Sequence, residues 1–304
     1  EALNMLIDGF RAENQGRAPE KLAFSLWSSE ALRHLGVLES QVLHALGLQP
    51  VWDEGGRVRA LEIVPAVELG RPRIDVVLQV TSVYRDQFDG FMRLLADAID
   101  RLARLDEPGN AVAANTRLLA DRLMAQGMPG DQARQLASLR LFGNQPGDYG
   151  SGLTDRVLAS TEWEDDAPLA EAFLDRLNHA FGAQEWGLRL EGENLFASQL
   201  KGTDAAVLAR SSRLYGMLAT DHPFEYLGGL ALAVRHLDGA SPALYVSDLR
   251  EIQPKMTTAA RFIADELRGR YLNPHWMKAM QAEGYAGTLE MLNLVNNVWG
   301  WQAT

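Results

Sequence analysis

The segment Ile74–Val80, IDVVLQV, constrains the fold more than any other stretch of the chain. It is a nearly unbroken β-branched, apolar run without the alternation of a strand that keeps one face in water. A strand of this kind has to be covered on both faces, as in a parallel sheet between layers of helices. Lys21–Trp27 (KLAFSLW) and Pro242–Asp248 (PALYVSD) read the same way, and a shorter strand is expected at Ala205–Leu208. Between them lie amphipathic stretches that predict helices over Ala31–Leu46, Asp86–Arg104, Asn110–Gln126, Gly229–Leu237, Thr257–Tyr271 and Thr288–Val298. Ser28–Glu30 offers a cap for the first of these, and Leu289, Leu292 and Val295 of the last are expected to face a core. Leu48–Trp52 and Arg57–Val64, joined by Asp53–Gly56, read as a hairpin. Strand–helix alternation predicts an α/β fold, with layered helices around a mostly parallel sheet.

The chain has 304 residues, enough for about two units, with 18–140 and 141–304 as the expected sub-lobes. Its net charge of −11 argues against a non-specific binder of nucleic acid or anionic membrane. No run reaches the length of a membrane span. The absence of cysteine excludes thiolate metal sites and a Cys nucleophile, and fits a reducing, cytoplasmic setting. A start without methionine and an end at Trp299–Thr304, WGWQAT, suggest an excerpt of a larger polypeptide. The two terminal tryptophans are expected to pack.

The chemistry-bearing residues concentrate in Thr220–Leu232, TDHPFEYLGGLAL. Asp221, His222 and Glu225 stand close enough in sequence to hold a cation or move a proton. Pro223 biases His222 away from helix, which places the trio on a loop. The alternative is a helix N-terminus, with Asp221 as cap and Glu225 in the first turn. Gly228-Gly229 lets backbone approach something flat or bulky, or turns the chain into a helix. Arg85 and Asp86 follow the IDVVLQV strand, where ligands collect in open α/β sheets; an internal ion pair plus a helix cap is the other reading. In Leu141–Gly152, LFGNQPGDYGSG, the glycines rule out regular structure, and Asp148 and Tyr149 face a ligand or shape a structural loop. Arg210 and Arg213 clamp carboxylates or pair with acidic neighbours.

Several blocks together resemble the large subunit of the cobaltochelatase/magnesium-chelatase family (CobN, BchH and ChlH types). They are RPRIDVVLQVTSVYRDQF at Arg71–Phe88, LFGNQPGDYGSGL at Leu141–Leu153, FEYLGGLALAVRHL at Phe224–Leu237, and YVSDLR from Tyr245 with RYLNPHWMKAMQAEGYAGTLEMLNLVNNVWGWQAT following. The wording is more similar to the CobN type. The resemblance implies a subunit that holds a tetrapyrrole while an AAA+ motor and an integrin-like adaptor hydrolyse ATP, and this chain carries no Walker motif. It implies insertion of Co²⁺ into a corrin precursor, hydrogenobyrinic acid a,c-diamide, in cobalamin biosynthesis. Mg²⁺ or Fe²⁺ chemistry, removal of metal from haem, or a non-catalytic tetrapyrrole-binding module stand as alternatives. His222, followed by Phe224 and Glu225, falls where magnesium-type subunits carry a functional histidine, and an upstream glutamate of the family site would lie outside this chain. The resemblance assigns His222 and Glu225 to metal and proton handling. Arg85, Asp86, Asp148, Tyr149 and Arg213 are then expected to hold the macrocycle's polar substituents, and Phe224 and Tyr226 to pack on its face.

Overall fold

A computed structural model describes residues 1–304. The ten strands are β1 (Lys21–Leu26), β2 (Leu48–Trp52), β3 (Val58–Ile63), β4 (Asp75–Val80), β5 (Leu141–Gly143), β6 (His179–Phe181), β7 (Trp186–Leu188), β8 (Ala205–Arg210), β9 (Ala243–Asp248) and β10 (Lys255–Thr258). β2 and β3 form the expected hairpin, apart from the rest. The other eight make one sheet in the order β10-β9-β8-β1-β4-β5-β6-β7, and strands from both sides of residue 140 interleave in it. β9, β8, β1, β4 and β5 are parallel; β10 at one edge and β6–β7 at the other run antiparallel.

The apolar runs end up where their composition requires. Every residue of β1, β4 and β8 is buried. Alternate side chains feed two cores: Ala23, Val77, Phe142, Ala206 and Leu208 face one layer of helices, and Leu22, Phe24, Val76, Leu78 and Val207 the other. Period-two geometry makes a doubly buried strand serve both faces at once.

Several boundaries differ from the sequence reading. The stretch Ala31–Leu46 is two helices, Ser28–His34 and Val37–Leu46, because Leu35 and Gly36 both adopt left-handed backbone and break the turn. Glu30 is not part of a solvated cap; it is buried, for reasons given below. A helix precedes the one at Asp89–Arg104, spanning Ser82–Gln87. Leu141–Gly143 is a strand in spite of the glycines after it, since Leu141 and Phe142 pair with β4 and fill a core. The helix expected over Thr257–Tyr271 begins at Ala259, after the antiparallel β10, and ends in a π-helical turn at Leu267–Tyr271.

The terminal tryptophans do pack: Trp299 stacks on Trp163 and donates to Val157 O, and Trp301 donates to Met217 O. On the same helix, Tyr285–Ala303, the expectation for Leu289, Leu292 and Val295 fails, for all three are exposed. Periodicity marks an apolar face without saying what covers it.

The Gly228-Gly229 pair admits neighbouring parts of the protein. A Cβ at Gly229 would sit 2.4 Å from the Phe173 ring, and one at Gly228 2.1 Å from Thr304 Oγ1. Gly229→Ala should therefore destabilise the fold by about 1–3 kcal/mol through overpacking. The midpoint of a urea unfolding curve checks this, with Gly9→Ala, where a Cβ meets nothing within 4 Å, as the control.

Candidate functional site

The sheet changes winding direction at β1. From β1 the chain proceeds through β4 to β5 on one side, whereas β8 and β9 lie on the other. In doubly wound sheets the crevice outside the carboxyl ends of such a strand pair is where ligands settle, because the connecting helices part there. Trp27 and Ser28 leave the end of β1, and Arg210 and Ser211 the end of β8. Ser82–Asp86 follow β4 and Asn144–Ser151 follow β5 on the same edge.

His222 lies at this edge but not on a loop. His222 and Pro223 form the first turn of a helix that runs through a π-helical turn, Phe224–Gly228, into Gly229–Asp238. Proline is tolerated because the N–H groups of a first turn have no helical partner anyway. Asp221 does not cap with its side chain; its carbonyl accepts from Glu225 N at 3.0 Å. The helical turn puts His222 and Glu225 on one face, as residues three apart are. His222 Nδ1 lies 3.2 Å from Glu225 Oε2 and 3.4 Å from Asp221 Oδ1. One donor atom from each member of the trio falls within 4.8 Å of the others.

Glu225 is buried and its second oxygen is fixed from the Gly-rich loop, by Ser151 N at 2.7 Å and Ser151 Oγ at 2.8 Å. Burial works to raise its pKa, but the hydrogen bonds from His222 and Ser151 outweigh burial and hold the carboxyl below its ordinary range. The bond to Glu225, with help from the charge of Asp221, raises His222 above its ordinary 6.5 against an opposing effect of burial. With Nδ1 engaged by Glu225, Nε2 of an exposed imidazole is the nitrogen left free to take a proton, while Nδ1, Glu225 Oε2 and Asp221 Oδ1 face one another as the atoms that could hold an ion.

The remaining expected site residues divide. Tyr149 is exposed, and its hydroxyl donates to Asp86 Oδ2 at 3.1 Å. Arg85 is buried; it binds Asp86 Oδ1 at 2.7 Å and the carbonyls of Asn144 and Gln145, so it clamps the Gly-rich loop from below and is not open to a ligand carboxylate. Asp148, half exposed, pairs with Arg176 at 3.1 Å. Arg213 is exposed and pairs with Glu251. It lines a separate cavity of about 740 Å³ with Arg250, Lys255 and Arg270. Phe224 is wholly buried, with Gly300 packed on its ring, and cannot stack on a macrocycle. Tyr226 is also buried, edge-on to Trp27, and burial drives its hydroxyl pKa well above the ordinary value.

Sequence reasoning missed Trp27, Ser151, Glu30 and Tyr215. Trp27 ended an apolar run and Ser151 sat among glycines, so neither carried a chemical signature. Tyr215 is exposed beneath the guanidinium of Arg33, in the connection that follows β8. With Tyr149, Leu214, Leu32 and Val83 it gives the carboxyl edge an exposed apolar and aromatic rim. Within the trio His222 is exposed, Asp221 partly so and Glu225 buried; cavities of about 870, 740 and 750 Å³ elsewhere on the chain include none of its members.

Comparison with known proteins bears on this geometry. The family model CobN/Magnesium Chelatase matches residues 1–304. The chain is 33% identical over 308 residues to the aerobic cobaltochelatase subunit CobN of Pseudomonas aeruginosa, covering 100% of this chain and 24% of that protein. It is 31% identical over 309 residues to the chloroplastic magnesium-chelatase subunit ChlH of rice, covering 99% and 21%. Among solved structures, the catalytic subunit of cobaltochelatase from Mycobacterium tuberculosis superposes with a TM-score of 0.91 at 32% identity, over 99% of this chain and 25% of that one. The chain thus spans about a quarter of the length of the relatives it matches.

The sign of the His222 shift makes a measurable statement. The folded state binds the imidazole proton more tightly than the unfolded chain. Stability from this group is complete below pH 6.5 and fades as pH rises through the raised folded value. NMR titration of the His222 ring should place its midpoint above 6.5, and Glu225→Gln should move that midpoint down.

Proposed function

The chain belongs to the CobN/magnesium-chelatase family, and we propose that it supplies the metal-transfer edge of a chelatase large subunit, where a tetrapyrrole receives its ion. The observation that carries this reading is the Ser151–Glu225–His222 chain at the winding-change crevice, with a free imidazole nitrogen at its outer end. Metal insertion requires that pyrrole N–H protons leave and that the ion shed its waters. His222 Nε2 accepts a proton as the ion enters, and Glu225, its charge fixed by Ser151, stabilises the imidazolium that forms. Before that, His222, Glu225 and Asp221 replace part of the ion's water shell.

Co²⁺ is the metal we propose. One imidazole with two carboxylates suits a borderline transition ion, whereas Mg²⁺ favours an all-oxygen octahedron and holds its waters. The macrocycle is then a corrin precursor. It lies against the exposed rim of Tyr149, Tyr215 and Leu214, and its polar substituents meet Asp86 and Asp148 near the ends of β4 and β5. Because the relatives are some four times longer, the open side of the trio is closed in this reading by the macrocycle and by further parts of a large subunit. ATP is hydrolysed on separate AAA+ motor and adaptor subunits.

His222→Ala in the assembled complex should cut chelation by about 10²-fold or more, the usual scale for a proton-transfer residue, with macrocycle binding retained. Metal-dependent change in the macrocycle absorbance reads turnover, and fluorescence quenching on titration with the metal-free macrocycle reads binding. Unchanged turnover would remove His222 from the mechanism. Turnover with Mg²⁺ exceeding that with Co²⁺ would overturn the choice of metal.

A further inference from the structure

The His222 ring also meets the protein on a second side. Its neighbour there is the indole of Trp27, edge-on, with ring centroids 6.1 Å apart. Trp27 is held in place by Nε1, which donates to Ser25 Oγ at 2.8 Å, while Ser25 donates to Gln79 Oε1 at 2.5 Å. The guanidinium of Arg210 lies over the same indole, its Cζ 4.6 Å from the ring centre. Arg210 is 2% exposed and donates from Nη1 to Glu30 Oε1 at 3.2 Å; its Nε is buried without a partner. Glu30 is 1% exposed; Oε1 also accepts from Arg33 Nη1 at 2.9 Å, and its other oxygen accepts from Ser211 N at 2.8 Å and Ser211 Oγ at 2.5 Å. Nothing in the metal-transfer chemistry described above uses Arg210 or Glu30. A buried ion pair of this kind does little for stability, since desolvation offsets most of the attraction, so its placement calls for another explanation.

We propose that Arg210 is a positioning residue for the metal site: a permanent positive charge, held flat on Trp27 by Glu30, that keeps Asp221, His222 and Glu225 a weak and therefore transferable site for a divalent cation. The inference rests on the reading of that trio as a metal-transfer site. Two carboxylates and an imidazole beside a buried hydrogen-bond network would otherwise retain a transition ion, and a chelatase has to give it up. A guanidinium suits the task because it stays charged at every working pH and stacks on an indole. Through the indole, its Cζ lies within about 11 Å of the His222 ring centre, close enough for the charge to oppose added positive charge at the trio. Glu30 sets how much of that field reaches the trio.

The test is Co²⁺ alone, titrated calorimetrically into the purified protein and its variants. Arg210→Gln removes the charge and should tighten Co²⁺ binding about threefold to tenfold, the range for one partly compensated charge at this separation. Glu30→Gln leaves the Arg210 charge, and the more exposed Arg33 charge, uncovered and should weaken binding by a similar factor. Arg210→Lys keeps the charge but gives up the stacking on Trp27, so it should fall between the parent and Arg210→Gln. Opposite signs for Arg210→Gln and Glu30→Gln separate electrostatics from disruption, which would weaken both; equal signs, or no change, overturn the proposal. Should Arg210→Gln not fold with Glu30 left to Arg33 and Ser211 alone, the double variant Arg210→Gln/Glu30→Gln takes its place and must bind Co²⁺ more tightly than Glu30→Gln. His222→Ala completes the set. If it loses Co²⁺ binding while the predicted order is absent, only this inference falls; if it binds Co²⁺ like the parent, the reading of the trio falls too.

Discussion

The pairing of β1 with β8 is the contact on which the rest of the molecule depends. Leu22, Ala23, Phe24 and Ser25 lie beside Ala205, Ala206, Val207 and Leu208, joining strands on opposite sides of most of the chain. Parallel strands cannot be joined by a tight turn, so the intervening polypeptide has to cover both faces with helices before β8 can dock. The docking also brings the ends of β1 and β8 together, and Trp27 and Arg210 with them. The crevice exists because the winding direction reverses at this pair.

Around the crevice, each buried ionic side chain has at least one partner, although Nε of Arg210 and Nη2 of Arg85 are left without one. Glu225 has Ser151 and His222; Glu30 has Arg210 and Ser211; Arg85 has Asp86 and two loop carbonyls. Each link ties one βα connection to another, so the Gly-rich loop after β5, the helix bearing His222 and the turn after β1 hold their positions together. Such a network costs desolvation and returns it only when complete. It therefore fixes a constellation more than it stabilises a fold. The imidazole is the exception, exposed on its outer side, and this exposure lets a group fixed by buried neighbours meet a ligand.

The strands were legible because their apolar runs admit one interpretation: IDVVLQV is too apolar to lie on a surface, and even its Asp75 and Gln79 are buried. Helix boundaries were less legible. Leu35 adopts a left-handed backbone that a leucine does not advertise, and Glu30 looks like an N-cap acid until Arg210 is placed beside it. At the site, Asp221, His222 and Glu225 stood together in the sequence and remain together in space. Phe224 and Arg85 were chosen by residue type alone, and burial removes both from contact with a ligand. Trp27, Ser151 and Tyr215 had no local signature, since what matters about each is its neighbour from a distant segment.

By itself the sequence determined that this chain forms a layered α/β body with doubly covered strands, because hydrophobic runs of strand length have no other place to go. It determined that an imidazole and two carboxylates share one short stretch, because three residues of helical turn fix their spacing. Only the tertiary structure decided that this stretch sits at the carboxyl ends of β1 and β8, that Ser151 holds Glu225, and that Arg210 lies on Trp27 behind the imidazole. Those facts depend on which strands become neighbours, and strand order is set by the summed packing of two cores, a quantity that no local run of residues encodes.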